Sequence, residues 1–381
     1  MIWNEKGFLI PDLDISVNDE YDGHKLCPFN DSPDKAIEDE DAIAEKFLTD
    51  VKSTDSRIGS FVSTYVGHSS VYRKTSSSGG LATFYLKSLF DLREIDQAIV
   101  VQEGITGYEY QVINAQDDIV KASKTRYTPV TLAEVIKRIE ISDKKIALVG
   151  VACFVKAIRL KQFYDNEFRK KIVFLIGIIC GGLKSKYYTD YLSQSAGISG
   201  KYNKQDYRIK NELSSASDYS FGAQDIDNHL FRTVKMQSLG DMWGTGLFKS
   251  RACDFCTDVT TELADVSLGD AWIEPYKQDG LGNSVIITRS NLAESILKSG
   301  VESETLQINQ VDTSEVIKSQ KGSFNHRQDA LKYRVTASRK KGQMVPKVRE
   351  RFFKNLNISE RLVQFFREKT RADSLRKWML T

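Results

Sequence analysis

Histidine, cysteine and long apolar runs are all scarce in this chain, and each shortage removes a class of function. The four histidines, His24, His68, His229 and His326, stand at no metal-ligand spacing, so a histidine-built zinc or non-haem iron site is not written here. Five cysteines in 381 residues do not make a secreted disulfide framework. The longest apolar stretches, such as 172–179, have the length of one buried strand and fall far short of the roughly 20 residues of a membrane helix. No integral membrane segment is therefore expected. The opening Met1-Ile2-Trp3-Asn4-Glu5-Lys6 reaches an acid before any apolar run, unlike a secretory signal. These absences point to a reducing cytoplasm, where thiols are free, catalytic or metal-bound. A net charge of +3 gives no general pull toward nucleic acid, and none is expected as a partner. No dinucleotide Gly-x-Gly-x-x-Gly and no Walker sequence occurs.

What is present is ordinary in bulk, with 41% hydrophobic and 28% charged residues, and long enough for two domains with sizeable cores. Residues 1–55 read as an acidic leader, with Glu-Asp-Glu-Asp at 38–41, Asp-Glu-Tyr-Asp-Gly at 19–23 and a helix predicted over 36–54. A polar Ser/Gly run over 70–80 leads into a helix over 81–90, where Leu81, Phe84, Tyr85 and Leu89 share one face. A strand over 98–101, a helix over 132–139, a strand over 145–151, a helix over 155–163, a strand over 171–179 and a helix over 185–193 follow. This alternation predicts an α/β fold, a mixed sheet flanked by helices. Short strands and loops fill 200–247; strands over 266–269 and 284–288 and a helix over 292–298 resume the pattern. We divide the chain into the leader 1–55, an N-terminal domain 56–150, a C-terminal domain 151–335 and a basic helical tail 336–381. The tail region is charged in one direction: residues 334–381 hold 14 Lys or Arg against 4 Asp or Glu. Its Phe352, Phe353, Leu356, Leu362, Phe365 and Phe366 read as the apolar side of a docking helix for a partner subunit or a second copy.

Four of the cysteines are placed for chemistry. Cys153 and Cys180 each follow an apolar strand, at the carboxyl ends where open α/β sheets put their sites. Cys253 and Cys256 form a Cys-x-x-Cys. Thiolates at strand ends and on a tight loop can hold an iron–sulfur cluster, which takes four, or a zinc ion. Two structural cysteines plus a loop pair is the plain alternative, because zinc sites, redox thiols and chance all produce Cys-x-x-Cys.

Seven collinear segments are similar to the beta subunits of coenzyme F420 hydrogenases and dehydrogenases, from about residue 70 to 330. They are Ser76-Ser-Ser-Gly-Gly80; Ile95-Asp-Gln-Ala-Ile-Val-Val101; Lys124-Thr-Arg-Tyr127; Gly150-Val-Ala-Cys-Phe154; Gly177-Ile-Ile-Cys180; Cys253-Asp-Phe-Cys256 with Asp258, Glu262 and Ala264-Asp-Val-Ser-Leu-Gly-Asp270; and Gly282-Asn-Ser-Val-Ile-Ile-Thr-Arg289. The resemblance implies an oxidoreductase that passes electrons between a 4Fe–4S cluster, FAD and an organic acceptor or donor. Its cluster would be held by Cys153, Cys180, Cys253 and Cys256. Its partner would be a redox protein or a small-molecule substrate, and no catalytic residue is named. The competing expectation is a redox-inactive or zinc-stabilised binding or assembly module of the same fold.

For FAD the expected contacts are Ser77, Ser78, Gly79 and Gly80, offering backbone N–H groups and hydroxyls at a helix start, with Arg126 and Tyr127 as the second set. Taken alone the run is a linker with a helix cap. Four departures from the family pattern stand out: Ala152 for Pro, Phe154 for Gln, Lys124 for Gly and Arg126 for Lys. The last keeps the charge but makes it a planar guanidinium, which bears on deazaflavin use more than on flavin binding. Gly7 to Pro28 resembles the tail of a ferredoxin-like segment, a truncated leader in which Cys27 alone cannot hold a cluster.

Overall fold

The computed structural model describes residues 1–12, 23–51, 53–104 and 107–378. The acidic run at 19–22 lies outside them. Short hairpins pair β1 (Ile2–Trp3) with β2 (Leu9–Ile10) and β3 (Ser53–Asp55) with β4 (Gly59–Phe61), with helix α1 (Glu40–Phe47) between. Then come β5 (Ser63–Ser69), α2 (Leu81–Asp91), β6 (Gln97–Gly104), β7 (Gly107–Asn114), α3 (Ala133–Ile141), β8 (Ile146–Val151), α4 (Ala152–Tyr164), α5 (Asn166–Lys171), β9 (Ile172–Ile178) and α6 (Tyr187–Ser195). A three-stranded antiparallel sheet follows, of β10 (Tyr202–Ile209), β11 (Ser220–Asp225) and β12 (Phe231–Lys235). The chain closes with β13 (Val266–Asp270), β14 (Ser284–Thr288), α7 (Asn291–Glu302), β15 (Leu306–Gln310), α8 (Thr313–Ser319), α9 (Lys321–Phe324), α10 (Leu331–Lys340) and α11 (Ile358–Trp378).

The main sheet has eight strands in the order β15-β5-β14-β13-β9-β8-β6-β7. Its middle, β13-β9-β8-β6, is parallel, and antiparallel pairs extend both sides, so the sheet is mixed as expected. Strands buried on both faces read as near-continuous apolar runs, and β9 (Ile-Val-Phe-Leu-Ile-Gly-Ile) is the plainest case. Alternate residues divide between two cores. Ala98, Val100, Ala147, Phe174 and Ile176 pack under α2 and α7, while Ile99, Ile146, Leu148 and Leu175 pack under α3 and α4. The division drawn at residue 150 falls inside β8, and strands from both sides of it share this sheet.

Three predicted elements come out differently; in the tail, Phe352, Phe353 and Leu356 lie before α11 and pack inward, off the expected docking helix. The helix over 36–54 shrinks to α1, because Asp39 turns its carboxylate onto the N–H groups of Asp41 and Ala42, both at 3.0 Å, and starts the helix there. Residues 53–55 join a hairpin instead. The sequence puts Cys153 at a strand end; β8 stops at Val151, and α4 begins at once, so Cys153 sits in the first turn of that helix. Among the described residues no helix is long and apolar enough to cross a membrane.

One arginine of the tail joins leader and body at a single point. Arg349, 1% exposed, pairs with Glu262 at 2.6 and 2.8 Å, with Asp41 at 2.9 Å and with Glu40 at 3.3 Å. Glu262 is 2% exposed, so removing its partner leaves a carboxylate buried and unmatched. Arg349→Met should cost about 3–5 kcal/mol in chemical denaturation, and adding Glu262→Gln should recover most of it. Burial opposes the charge of Glu40, but Lys156 and Arg349 outweigh it and hold its carboxyl at about 2, down from 4.5. A lowered carboxylate stabilises the fold above its unfolded pKa and loses that effect as pH falls through its folded one. The stability gap between wild type and Glu40→Gln, about 3 kcal/mol at neutral pH, should therefore close between pH 4.5 and about 2.

Candidate metal and cofactor site

Cys153 and Cys180 meet because β8 and β9 are parallel neighbours with Val151 opposite Ile178; each cysteine lies two residues beyond its paired strand end. The Cys-x-x-Cys reaches them along a second path. Residues 183–185 run against 248–250, with Ser250 N–H donating to Leu183 O at 2.9 Å and Ser185 N–H to Phe248 O at 2.8 Å. Leu183 N–H donates to Cys253 Sγ at 3.2 Å, and Gly182 N–H to Cys180 Sγ at 3.3 Å. Gly182 takes φ +132°, a conformation that suits glycine, and this is how the Gly181-Gly182 pair brings amides to sulfur.

Burial pushes the Cys153 thiol well up, and the charges on Cys253, Cys180 and Cys256 add to the effect, so the four sulfurs lie within electrostatic reach of one another. Burial likewise pushes Cys256 up to about 12, with Arg327 opposing. Arg327 is 2% exposed, donates to Asp258 O at 2.9 Å and to the Cys180 carbonyl, and stands 3.7 Å from Cys256 Sγ. Burial disfavours its charge, but Cys256, Cys180 and Cys253 raise it above its usual range. Among the described residues no three His, Cys, Asp or Glu side chains are already closed to metal-binding distance. The arrangement is four neighbouring thiols with amide and guanidinium donors, a set of groups that could hold a metal centre. Cys27 pairs with none of them.

The Ser/Gly run sits on the edge of β14, where packing uses much of what it offers. Ser78 Oγ donates to Asn283 O at 2.9 Å, and Gly79 N–H donates to Ser284 Oγ at 3.1 Å. A Cβ on Gly79 would come 2.7 Å from Gly67 O, and Gly80, at φ +82°, starts α2 against the backbone of Tyr72 and Arg73. Ser77 Oγ accepts from Thr125 N–H at 2.9 Å, so the run and the Lys-Thr-Arg-Tyr segment are one site. Lys210 closes it, donating to Ser78 O at 2.8 Å and Arg73 O at 2.7 Å. Burial, then Arg208, Lys124 and Arg73, push Lys210 down to about 7. Two polar atoms there are buried without a partner, Ser76 Oγ and Arg126 Nε, while the Arg126 guanidinium lies 4.7 Å over the Tyr108 ring. Cations and unmatched donors at a Ser/Gly turn fit a phosphate-bearing cofactor.

Tyr127 links the two halves. It packs edge-on to Trp243 at 4.8 Å and Tyr207 at 5.3 Å. Burial and Tyr219 raise its pKa, Arg208 opposes, and Asp270 and Cys180 add to the rise. Trp243 lies so close to Gly181 that a Cβ there would be 2.8 Å from the indole. Sequence reasoning missed Arg327, Lys210 and Trp243, which carry no spacing signal. Asp265 has a structural role: it accepts from Leu175 N–H at 2.8 Å and pairs with Arg159 at 3.2 Å. Phe154, one of the departures noted, packs at 5.8 Å against Tyr110.

Residues 64–137 match the N-terminal profile of the coenzyme F420 hydrogenase/dehydrogenase beta subunits, and residues 143–314 match the C-terminal profile of the same proteins. The chain belongs to this family. Every metal or cofactor candidate named from the sequence falls inside the two matches, whereas Arg327, Arg349 and α11 lie beyond them. Similar proteins include one subunit of the F(420)H(2) dehydrogenase of Methanosarcina mazei, 27% identical over 54% of this chain and 57% of the relative. Coenzyme F420-dependent sulfite reductase of Methanocaldococcus jannaschii is 26% identical over 60% of this chain and 36% of the relative. The beta subunit of the coenzyme F420 hydrogenase of Methanothermobacter thermautotrophicus is 26% identical over 63% and 81%. The chain thus spans little more than half the length of the first of these and about a third of the second. A chain of the F420-reducing [NiFe] hydrogenase complex from Methanosarcina barkeri shares the fold, with TM-score 0.57 and 21% identity over 79% of this chain and all of that one.

The beta-subunit frame makes one glycine a test of the site. A Cβ on Gly177 would lie 2.6 Å from Thr261 Cγ2 and 2.8 Å from Ala264 Cβ, atoms of the loop that follows Cys256. Gly177→Ala should lower stability by about 1–3 kcal/mol and speed thiol labelling of Cys256 several-fold. Gly150→Ala, on the neighbouring strand, should do neither, since its nearest contact is a Leu148 side chain at 3.1 Å.

Proposed function

We propose that this chain is an iron–sulfur flavoprotein oxidoreductase, with Cys153, Cys180, Cys253 and Cys256 as ligands of a 4Fe–4S cluster and the Ser77–Gly80 run, Arg126 and Lys210 around FAD. The observation that carries the reading is the position of Tyr127, which feels both Cys180 and the Arg208–Asp270 pair beside the phosphate-type site. Trp243 packs against Gly181 beside Cys180 and against Tyr127 of the second site. When bound, such a cluster passes electrons singly and such a flavin passes them in pairs.

The chain's own residues have definite tasks in this scheme. The thiols of Cys153 and Cys256 hold their protons tightly, so metal entry must release them, and Arg327 favours the thiolate that results. Gly182 and Leu183 N–H groups donate to sulfur, which raises the potential of a thiolate-bound centre. Arg126 and Lys210 match anionic phosphate charge. Tyr127, Tyr188, Tyr207 and Trp243 pack edge-on into one aromatic cluster beside the Lys-Thr-Arg-Tyr segment. The organic donor or acceptor and any partner subunit or redox protein follow from neither the thiols nor the aromatic cluster. A cytoplasmic setting agrees with free thiols.

Anaerobic purification with iron, acid-labile sulfide and flavin counts tests the proposal. We expect a brown protein with about four irons and one FAD. Cys180→Ser or Cys253→Ser should lose the colour and Cys27→Ser should keep it. A colourless, flavin-free protein or one containing zinc without sulfide would establish the binding or assembly module in its place.

A further inference from the structure

Between α10, α11 and the segment from Lys249 to Phe255 lies a pocket lined by none of the residues assigned above to the cluster or FAD. Its cations outnumber its acids. Lys249, Arg251, Arg334, Arg367 and Arg371 line it, with Asp254 and Glu368 as the only carboxylates. Both acids are taken. Asp254 serves Lys249 at 2.9 Å, His326 at 3.2 Å and Arg371, and Glu368 pairs with Lys341 at 2.8 Å.

Nothing negative is left for Arg334 and Arg367. Arg334, 9% exposed, donates only to neutral acceptors, Asp254 O at 2.8 Å, Arg327 O at 3.2 Å and Gln364 Oε1 at 3.3 Å, with the His326 ring nitrogen at 3.4 Å. Arg367 reaches Trp243 O at 3.4 Å, and its Nε is buried without any partner. Arg367 acts on Arg334 as a like charge and Arg327 on both, and Asp241 offsets Arg367 only from beyond ion-pair distance. A guanidinium keeps its proton, so buried charge of this kind calls for an anion. Neither Arg334 nor Arg367 makes a hydrogen bond to a cysteine sulfur, whereas Arg327 stands 3.7 Å from Cys256 Sγ.

We propose that this pocket binds a small phosphate-type oxyanion through Arg334 and Arg367, and that the bound anion fastens α11 to the cysteine loop. The anion is either free inorganic phosphate or the phosphate group of a larger molecule entering past the exposed Arg251. Planar forks of this kind grip such oxygens in pairs.

The test is phosphate titration of the full-length protein, purified anaerobically with whatever it binds, in chloride buffer at constant ionic strength. A saturable upward shift of several degrees in melting temperature is expected, with 31P line broadening that saturates over the same range. Arg367→Gln should weaken binding at least tenfold, as should Arg334→Gln, while the surface change Lys137→Gln leaves it unchanged. Should Arg334→Gln fail to fold, the partly exposed Arg367 carries the test. A simple phosphomonoester binding more tightly than phosphate would assign the site to a larger molecule, and the reverse to the free ion. Absence of a saturable shift, or equal affinity in Arg367→Gln, overturns the proposal. So does binding confined to chelator-treated protein, for then a metal centre's own negative charge is the missing anion.

Discussion

The parallel pairing of β8 with β9 is the constraint on which the site depends. Both strands are buried on both faces, and their side chains alternate between two separate cores. A slip of one residue would send Leu148, Leu175 and their neighbours into the wrong core, so the register is strongly specified. That register sets Val151 opposite Ile178 and brings the two cysteine-bearing segments out side by side. It also sets Gly150 opposite Gly177, and the missing side chain at 177 is what lets the loop after Cys256 lie across β9. The thiols converge because hydrophobic alternation leaves the strands no other arrangement, with no contact between the sulfurs needed to guide them.

Much of this was legible. The apolar runs of β8, β9, β13 and β14 and the amphipathic α2 pointed to the α/β class, and the collinear motifs pointed to the family. Other features left no mark in the pattern. Residues 63–69 and 306–310, two antiparallel strands of the main sheet, are short and mixed in polarity, and they hold their place by pairing with β14 and with each other. Residues 202–235 form a separate three-stranded sheet whose alternation is blurred by register shifts within β10. Within the Ser/Gly run the expectation of free phosphate donors met competition from β14, which takes Ser78 and Gly79, so the unmatched donors are the neighbours Ser76 and Arg126. Arg327, Lys210 and Trp243 act through tertiary placement, and no local spacing announces a residue of that sort.

Buried positive charge takes three forms in this fold, and they behave differently. Arg349 is matched by Glu262, Glu40 and Asp41, so its burial ties three distant segments together. Arg327 is matched by sulfur and by backbone carbonyls, which leaves it dependent on the charge of the thiols it faces. Lys184 is matched only by carbonyls of Met242 and Leu247 and by the rings of Trp243 and Tyr188, and burial pushes it down to about 7. The order follows the desolvation argument: a buried cation keeps its charge in proportion to the negative charge brought to it.

The residues outside the family matches are what complete the surroundings of the cysteines. The matched stretch supplies the thiols, the sheet and the Ser/Gly turn. Arg327 and His326 come from the π-helical turn 325–329 after it, Arg334 from α10, Arg349 from the connection that follows, and Gln364, Arg367 and Arg371 from α11. Glu40 and Asp41 come from α1 before it. An enzyme can vary its partner without disturbing its ligands if the ligands sit on a rigid sheet and their electrostatic setting comes from flanking helices. In this chain those helices also present the exposed side chains of Leu362, Val363, Phe365 and Phe366 on α11. The same helix thus carries an apolar outer face and, on its inner side, Arg371, which pairs with Asp254 between Cys253 and Cys256.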